Sequence, residues 1–157
     1  MRWIFFLVWF SLLMADDKPQ FKDWQSQIKL NDTVFESEAH NAYIDIYANA
    51  LAAPFYRARS LTFPVGSVLY KPLYYSAKKE EIALLVIMKK MASGYDVKHN
   101  DWWYGVYDAT GSEAYHTGRV KSCIACHQQA SKTDYMFSHS VMDHIEKGKA
   151  IKAVLPH

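Results

Sequence analysis

Residues 81–92 read EIALLVIMKKMA, and the reading of this stretch decides the fold. It is apolar without interruption from Ile82 to Met88, and its length suits either a strand or a buried helix. We read it as a strand. On its N-terminal side, residues 67–76 (SVLYKPLYYS) are rich in β-branched and aromatic side chains, which fit a pleated surface. On its C-terminal side, residues 101–120 (DWWYGVYDATGSEAYHTGRV) read as two strands around a turn at Asp108 to Gly111.

Working outward, TFPVGS (62–67) is a turn punctuated by Pro64 and Gly66. ESEAHNAYIDIYANALAAPF (36–55) carries Tyr43, Ile46, Tyr47, Ala50 and Leu51 at helical spacing, and predicts a helix that Pro54 ends. PQFKDWQSQIK (19–29) reads as a short helix or an ordered arm. CIACHQQASK (123–132) predicts a short helix. MDHIEKGKAIKAVL (142–155) predicts a C-terminal helix, with Asp143 near its start and lysines toward its end, as the helix dipole favours. The sum is an α+β fold: a compact, mainly antiparallel β-sheet with flanking helices.

The chain has 157 residues, half of them hydrophobic and 15% aromatic, which describes one packed domain and excludes a disordered chain. A net charge of +2, with no Lys/Arg cluster among aromatics, argues against nucleic acid as a partner. The N-terminus, MRWIFFLVWFSLLMADD, places Arg2 before an apolar run from Trp3 to Ala15 that is too short to span a bilayer comfortably. Charged sequence follows at once. This is the layout of a secretory signal peptide cut after Ala15, although Leu13 is larger than the residue expected two positions earlier. A retained anchor helix is the alternative. No other stretch is long and apolar enough to span a membrane, so the mature chain is expected in the periplasm or another exported compartment, without a membrane span.

The chemistry concentrates in VKSCIACHQQASKTDY (120–135), which holds the only two cysteines, Cys123 and Cys126, and His127 directly after them. Three readings compete. A redox disulfide belongs in a parallel βαβ context, and hairpin-like sequence precedes this one. A structural zinc site takes four ligands. His40, His99, His116, His139, His144 and His157 are scattered, with His139 and His144 the nearest thing to a pair. The third reading is covalent haem c. Two thiols three positions apart lie on one side of a helical turn, where each can add to a haem vinyl group, and the next residue carries an imidazole under the iron. Export and the missing zinc ligands both favour this reading, with one haem per chain and His127 as the axial iron ligand. An electron carrier would add a second ligand, often methionine. Met88, Met91, Met136 and Met142 are present, none of them in a motif that marks a ligand, and such residues commonly fill cores.

Three stretches, LTFPVGSVLYKP (61–72), GYDVKHNDWWYGVYDATG (94–111) and CIACHQQASKTDYMF (123–137), resemble the cytochrome P-460 family, which includes the β-type cytochromes c-prime. The most specific part is the late C-x-x-C-H followed by Asp134, Tyr135 and Phe137. The resemblance spans roughly residues 37–142; with the N-terminal reading above, the chain divides into a signal peptide (1–15), an N-terminal arm or helix (16–36) and a haem domain of the P-460 type (37–157). It implies a compact antiparallel β fold, often dimeric. Its haem would be held by two thioethers and a proximal histidine, with the opposite face open. Members of the family oxidise hydroxylamine or bind nitric oxide, and some carry a lysine–porphyrin link. The β-type cytochromes c-prime lack that link and bind gases.

Cys123, Cys126 and His127 match the family pattern directly. Lys71 follows FPVGSVLY where the family carries its linking lysine, and Lys89 is the second candidate. Pro72 departs from the pattern and marks an edge or a bulge. A solvated edge lysine is the plain alternative for Lys71. Asp96 or Asp101 would serve as the acid that hydroxylamine chemistry uses, or as ordinary turn residues. Tyr70, Tyr74, Trp102, Trp103 and Tyr104 would line the haem pocket or fill the core. Arg119 and Lys121 would pair with propionates or stay exposed. The expected partners are a small gaseous or nitrogen-oxide ligand and a redox protein. A periplasmic electron-transfer cytochrome with a Met or His sixth ligand is the competing function.

Overall fold

The computed structural model describes residues 18–154, with side chains described up to residue 147. The expected signal peptide, and with it the anchor alternative, lies outside the described residues. Among the described residues no helix is long and apolar enough to cross a membrane.

The predicted strands form. β1 (Ile28–Lys29), β2 (Phe35–Ser37), β3 (Ala42–Ile44) and β4 (Tyr47–Ala48) precede β5 (Val68–Tyr74), β6 (Ile82–Lys90), β7 (Trp102–Tyr107) and β8 (Ala114–Gly118). They make one antiparallel sheet in the order β1-β4-β5-β6-β7-β8, with the β2–β3 hairpin attached to β5 beside β4. Around it lie α1 (Ala52–Arg57), α2 (Lys121–His127) and α3 (Ser138–Val154). The sheet is mainly antiparallel with flanking helices, as the sequence predicts.

The apolar run of β6 does not alternate because both of its faces are covered. Leu84, Val86 and Met88 pack toward the helices with Leu69, Leu73, Trp102 and Tyr104. Leu85 and Ile87 pack the other way with Val68, Tyr70, Trp103 and Tyr107. That second face is closed by the N-terminal arm. Phe21 sits edge-on to Tyr70 and Tyr107, with ring centroids 5.9 and 5.4 Å away. The arm is tied to the β7–β8 turn. The Phe21 amide donates to the Gly111 carbonyl (2.8 Å), the Trp24 indole to Ala109 (3.2 Å), and the Tyr107 hydroxyl to Pro19 (2.6 Å).

Two expectations are corrected. Residues 36–55 do not form a helix ended by Pro54. They form β3, β4 and the hairpin loop, and the helix begins at Ala52, where the prediction has it ending. Asn49 explains the start: its Oδ1 accepts from the amides of Ala52 (3.0 Å) and Val68 (3.1 Å). Pro54 falls in the first turn of α1, where its missing donor would be unpaired in any case. The apolar positions upstream face β5 instead, Ile44 opposite Leu73 and Tyr43 opposite Tyr74. Pro72, in turn, is on an interior strand rather than an edge, with the register irregularity of β5 just after it, between Leu73 and Tyr74. The Val68 carbonyl accepts from Asn49 on the β4 side, so alternation turns the Pro72 nitrogen the same way. There it meets the gap between the end of β3 at Ile44 and the start of β4 at Tyr47, and no ladder bond is lost.

Candidate haem site

The turn of α2 sets Cys123 and Cys126 on one side of the helix, both free and half-buried, and ends on His127, which is 8% exposed. His127 Nδ1 lies 2.6 Å from the Tyr135 carbonyl. A carbonyl only accepts, so Nδ1 carries the proton and Nε2 keeps its lone pair. Burial, and then the charge of Lys71, lower the imidazole pKa to about 4, against the smaller opposing pull of the Tyr135 hydrogen bond. A neutral imidazole with one nitrogen anchored and the other free is the form in which histidine binds a metal.

The anchor depends on an uncommon backbone. Asp134 (φ 53°) and Tyr135 (φ 62°) are consecutive non-glycine residues in the left-handed region. Each costs on the order of 1 kcal/mol or more and persists only where its surroundings hold it. Here Asp134 is the hold. Its carboxylate, 2% exposed, accepts from the Phe63 amide (2.8 Å), Lys90 Nζ (2.6 Å), the Trp102 indole (3.1 Å) and the Asn100 amide (3.2 Å). The Tyr135 hydroxyl donates to the Lys98 carbonyl (3.1 Å). One carboxylate thus joins the 61–72 turn, the end of β6, the 94–101 loop and β7 to the residue that orients His127. Sequence reasoning placed Asp134 within the motif but not at this junction.

Two clefts open beside His127, with Val86 bordering both. One, of about 560 Å³, is lined by Ala39, His40, Tyr104, Ser122, Cys123 and Cys126. The other, of about 450 Å³, is mostly apolar and is lined by Tyr56, Leu69, Met88, Met136, Phe137 and Val141, with Lys71 among them. Lys71 stands opposite Val86 across β5 and β6 and faces the helices. Burial pushes its pKa down to about 8, partly offset by Cys126 and Cys123. Among the described residues the buried Tyr104 hydroxyl has no hydrogen-bond partner, and its ring lies 5.6 Å from that of His127.

The other predicted residues are distributed as follows. Lys89 alternates with Val86 and Met88, so it faces away from α2 and is not brought to the site. Asp96 and Asp101 brace their own loop: Asp101 Oδ1 accepts from the Asp96 amide (2.7 Å), and Asp96 Oδ2 pairs with His99 Nδ1 (2.9 Å). Arg119 hydrogen-bonds the Tyr95 carbonyl, covers the Tyr95 ring at 5.0 Å and lies 4.0 Å from Asp96. Lys121 is exposed. Among the aromatics, Tyr104 lines the first cleft and Tyr70 borders the second. Trp102 packs on Phe63, Trp103 lies on the arm side, and the Tyr74 hydroxyl donates to Asp45 (3.2 Å). Met88 and Met136 border the second cleft, Met142 is core, and Met91 packs against the arm-side cluster. His144 stacks on Phe35, and among the described residues no group of three His, Cys, Asp or Glu side chains is placed to hold a metal ion. His40, one of the scattered histidines in the sequence, lines the cysteine cleft; no local motif marks it.

The residues fit a haem. Two thiols and a neutral imidazole nitrogen share a cleft, and a buried hydroxyl there lacks a partner among the described residues. The fold and site define a cytochrome built on an antiparallel sheet. The chain belongs to the cytochrome P460 family, whose sequence model matches residues 19–138, from the arm through the first residue of α3. No curated protein matches it.

Proposed function

We propose that this is an exported haem c protein whose iron is held by His127 and is open on its other face to nitric oxide or a related small nitrogen compound such as hydroxylamine. The observation that carries the reading is the His127 imidazole, anchored through Nδ1 and presenting a free Nε2 to the cleft that also exposes Cys123 and Cys126. Each cysteine thiol adds its S–H across one vinyl group, giving two thioethers. The haem supplies a redox-active iron able to bind small diatomic or nitrogenous ligands. The chain supplies the anchor, a fixed tautomer and a mostly apolar neighbouring cleft that suits small ligands of low charge.

We assign any additional covalent link to Lys71. It faces the same side as His127, and a pKa near 8 leaves part of its amine unprotonated and nucleophilic at neutral pH. A redox partner protein, a homodimer and release from a signal peptide complete the reading.

The test is the absorption and electron paramagnetic resonance spectra of the purified protein, with its denatured mass and peptide map. A high-spin, five-coordinate iron with haem retained on the 123–127 peptide supports the proposal. Low-spin iron in both oxidation states would overturn the open face. It would instead support an electron-transfer cytochrome, for which Met88 and Met136 at the second cleft are the available ligands. A Lys71 peptide carrying haem mass would establish the extra link.

A further inference from the structure

His40 enters the cysteine cleft from a different element than the motif does. It ends the single 3₁₀ turn Glu38–His40 at the tip of the β2–β3 hairpin. The tip is held in place. Ser37 pairs with Ala42 at the hairpin's end, Ile44 pairs with Leu73 of β5, and the Asn41 amide donates to the Glu38 carbonyl (3.1 Å) as Asn41 turns left-handed at φ 46°. Within the tip, His40 Nδ1 lies 3.0 Å from Ser37 Oγ. No group among the described residues hydrogen-bonds its Nε2. The ring is half-buried. Burial, then Lys71, then His127 depress its pKa to about 4, so it stays neutral and its free nitrogen can accept or donate according to tautomer.

The same cleft is lined by α2, which carries both cysteines and His127. A flat group fastened to those cysteines and ligated by His127 has its proximal side against α2. The hairpin tip, like β7 with Tyr104, brings a polar side chain to the group from outside α2. The other polar side chains on this cleft are Ser122, Cys123, Cys126 and His127 of α2 itself and the Tyr104 hydroxyl of β7.

We propose that His40 is the residue that hydrogen-bonds a small ligand bound to the iron on the face away from His127, held in position by Ser37. The proposal rests on the haem reading above. It assigns His40 the task of selecting and retaining the ligand, and leaves the iron unligated by His40.

Carbon monoxide on the reduced holoprotein is the probe, with the C–O stretch read by infrared spectroscopy and dissociation by flash photolysis. A hydrogen bond to the bound ligand strengthens back-donation and lowers the C–O stretch. His40→Ala is therefore expected to raise that frequency and to speed dissociation roughly tenfold, the scale of one lost hydrogen bond. His40→Gln keeps an amide donor of similar reach and is expected to fall between. It also serves if the alanine variant folds poorly, and circular dichroism checks both. An unchanged stretch in both variants, or a shift in Tyr104→Phe but not in the His40 variants, would overturn the proposal. So would a low-spin wild-type iron that turns high-spin in His40→Ala, because His40 would then be the sixth ligand. If wild-type protein carried haem and bound no carbon monoxide even in His40→Ala, the open-face reading itself would fail, and that result is distinct from the others.

Discussion

On one face of the sheet, Phe21 and Trp24 close over Tyr70, Leu85, Ile87, Trp103 and Tyr107; on the other, three helices cover the same strands and leave two clefts around His127. The strands are shared, and only the parity of the residues differs. The arm side is held by interlocked aromatic rings and three hydrogen bonds to the β7–β8 turn and β7. The helix side has its own apolar core, tied at one polar junction by the Asp134 carboxylate, and leaves the two clefts beside His127 for a group that the polypeptide does not provide. A protein that binds a large flat cofactor needs one face that is finished by its own chain and one that is not.

The largest expected effect tests the point attachment. Asp134→Ala would leave Lys90 buried without its counter-charge and the Phe63 amide and Trp102 indole without acceptors, at a cost of about 4 kcal/mol. Chemical denaturation measures this, and a loss below about 1 kcal/mol would deny Asp134 its role. The same variant should loosen the Tyr135 carbonyl and perturb the haem spectrum.

Acid should weaken the open face next. His40 and His127, both depressed from 6.5 to about 4, stay neutral in the folded haem-free chain but take up protons once it unfolds. Between pH 6.5 and 4 the unfolded state binds more protons, so stability falls as pH falls, by about 3 kcal/mol for the well-buried His127 and by less for the half-buried, solvent-screened His40. The closed face has no histidine in its cluster. Thermal melts of haem-free protein across that window, repeated with His40→Ala, should show a shallower slope in the variant; an identical slope would remove His40 from the account.

Phe21→Ala strikes the closed face. It should cost about 3 kcal/mol through the cavity left among Tyr70, Trp103 and Tyr107, and leave the haem spectrum alone. A spectral change in this variant would break the independence of the two faces. Gly111→Ala is the milder version. Its new Cβ would stand 2.6 Å from the Phe21 carbonyl at a backbone φ of +75°, costing about 1–2 kcal/mol as the arm shifts. Differential scanning calorimetry would resolve that loss.

Much of the sheet is legible in the sequence because β5 to β8 carry β-branched and aromatic residues with turn signals between them. The helical reading of 36–55 fails for a reason visible in the pairing. Apolar residues three and four apart also occur when two short strands, offset by a kink at Asp45 and Ile46, each turn a side chain inward. The edge reading of Pro72 fails because a proline is compatible with an interior strand whenever its neighbour happens to break opposite it.

At the site, C-x-x-C-H is local chemistry, and helical spacing alone determines that two thiols and an imidazole share a side. Lys71 is legible through the resemblance carried by its neighbours, and the sheet places it facing the motif. The rest is decided in three dimensions. Asp134 meets Phe63, Lys90 and Trp102 across 71, 44 and 32 residues, and His40 reaches the cleft from the far end of another hairpin. Short-range patterns encode helices, strands and attachment motifs because backbone geometry is periodic over a few residues. Which carboxylate braces the residue that anchors His127, and which imidazole shares its cleft, depends on contacts between segments far apart in the chain, and only packing brings those together.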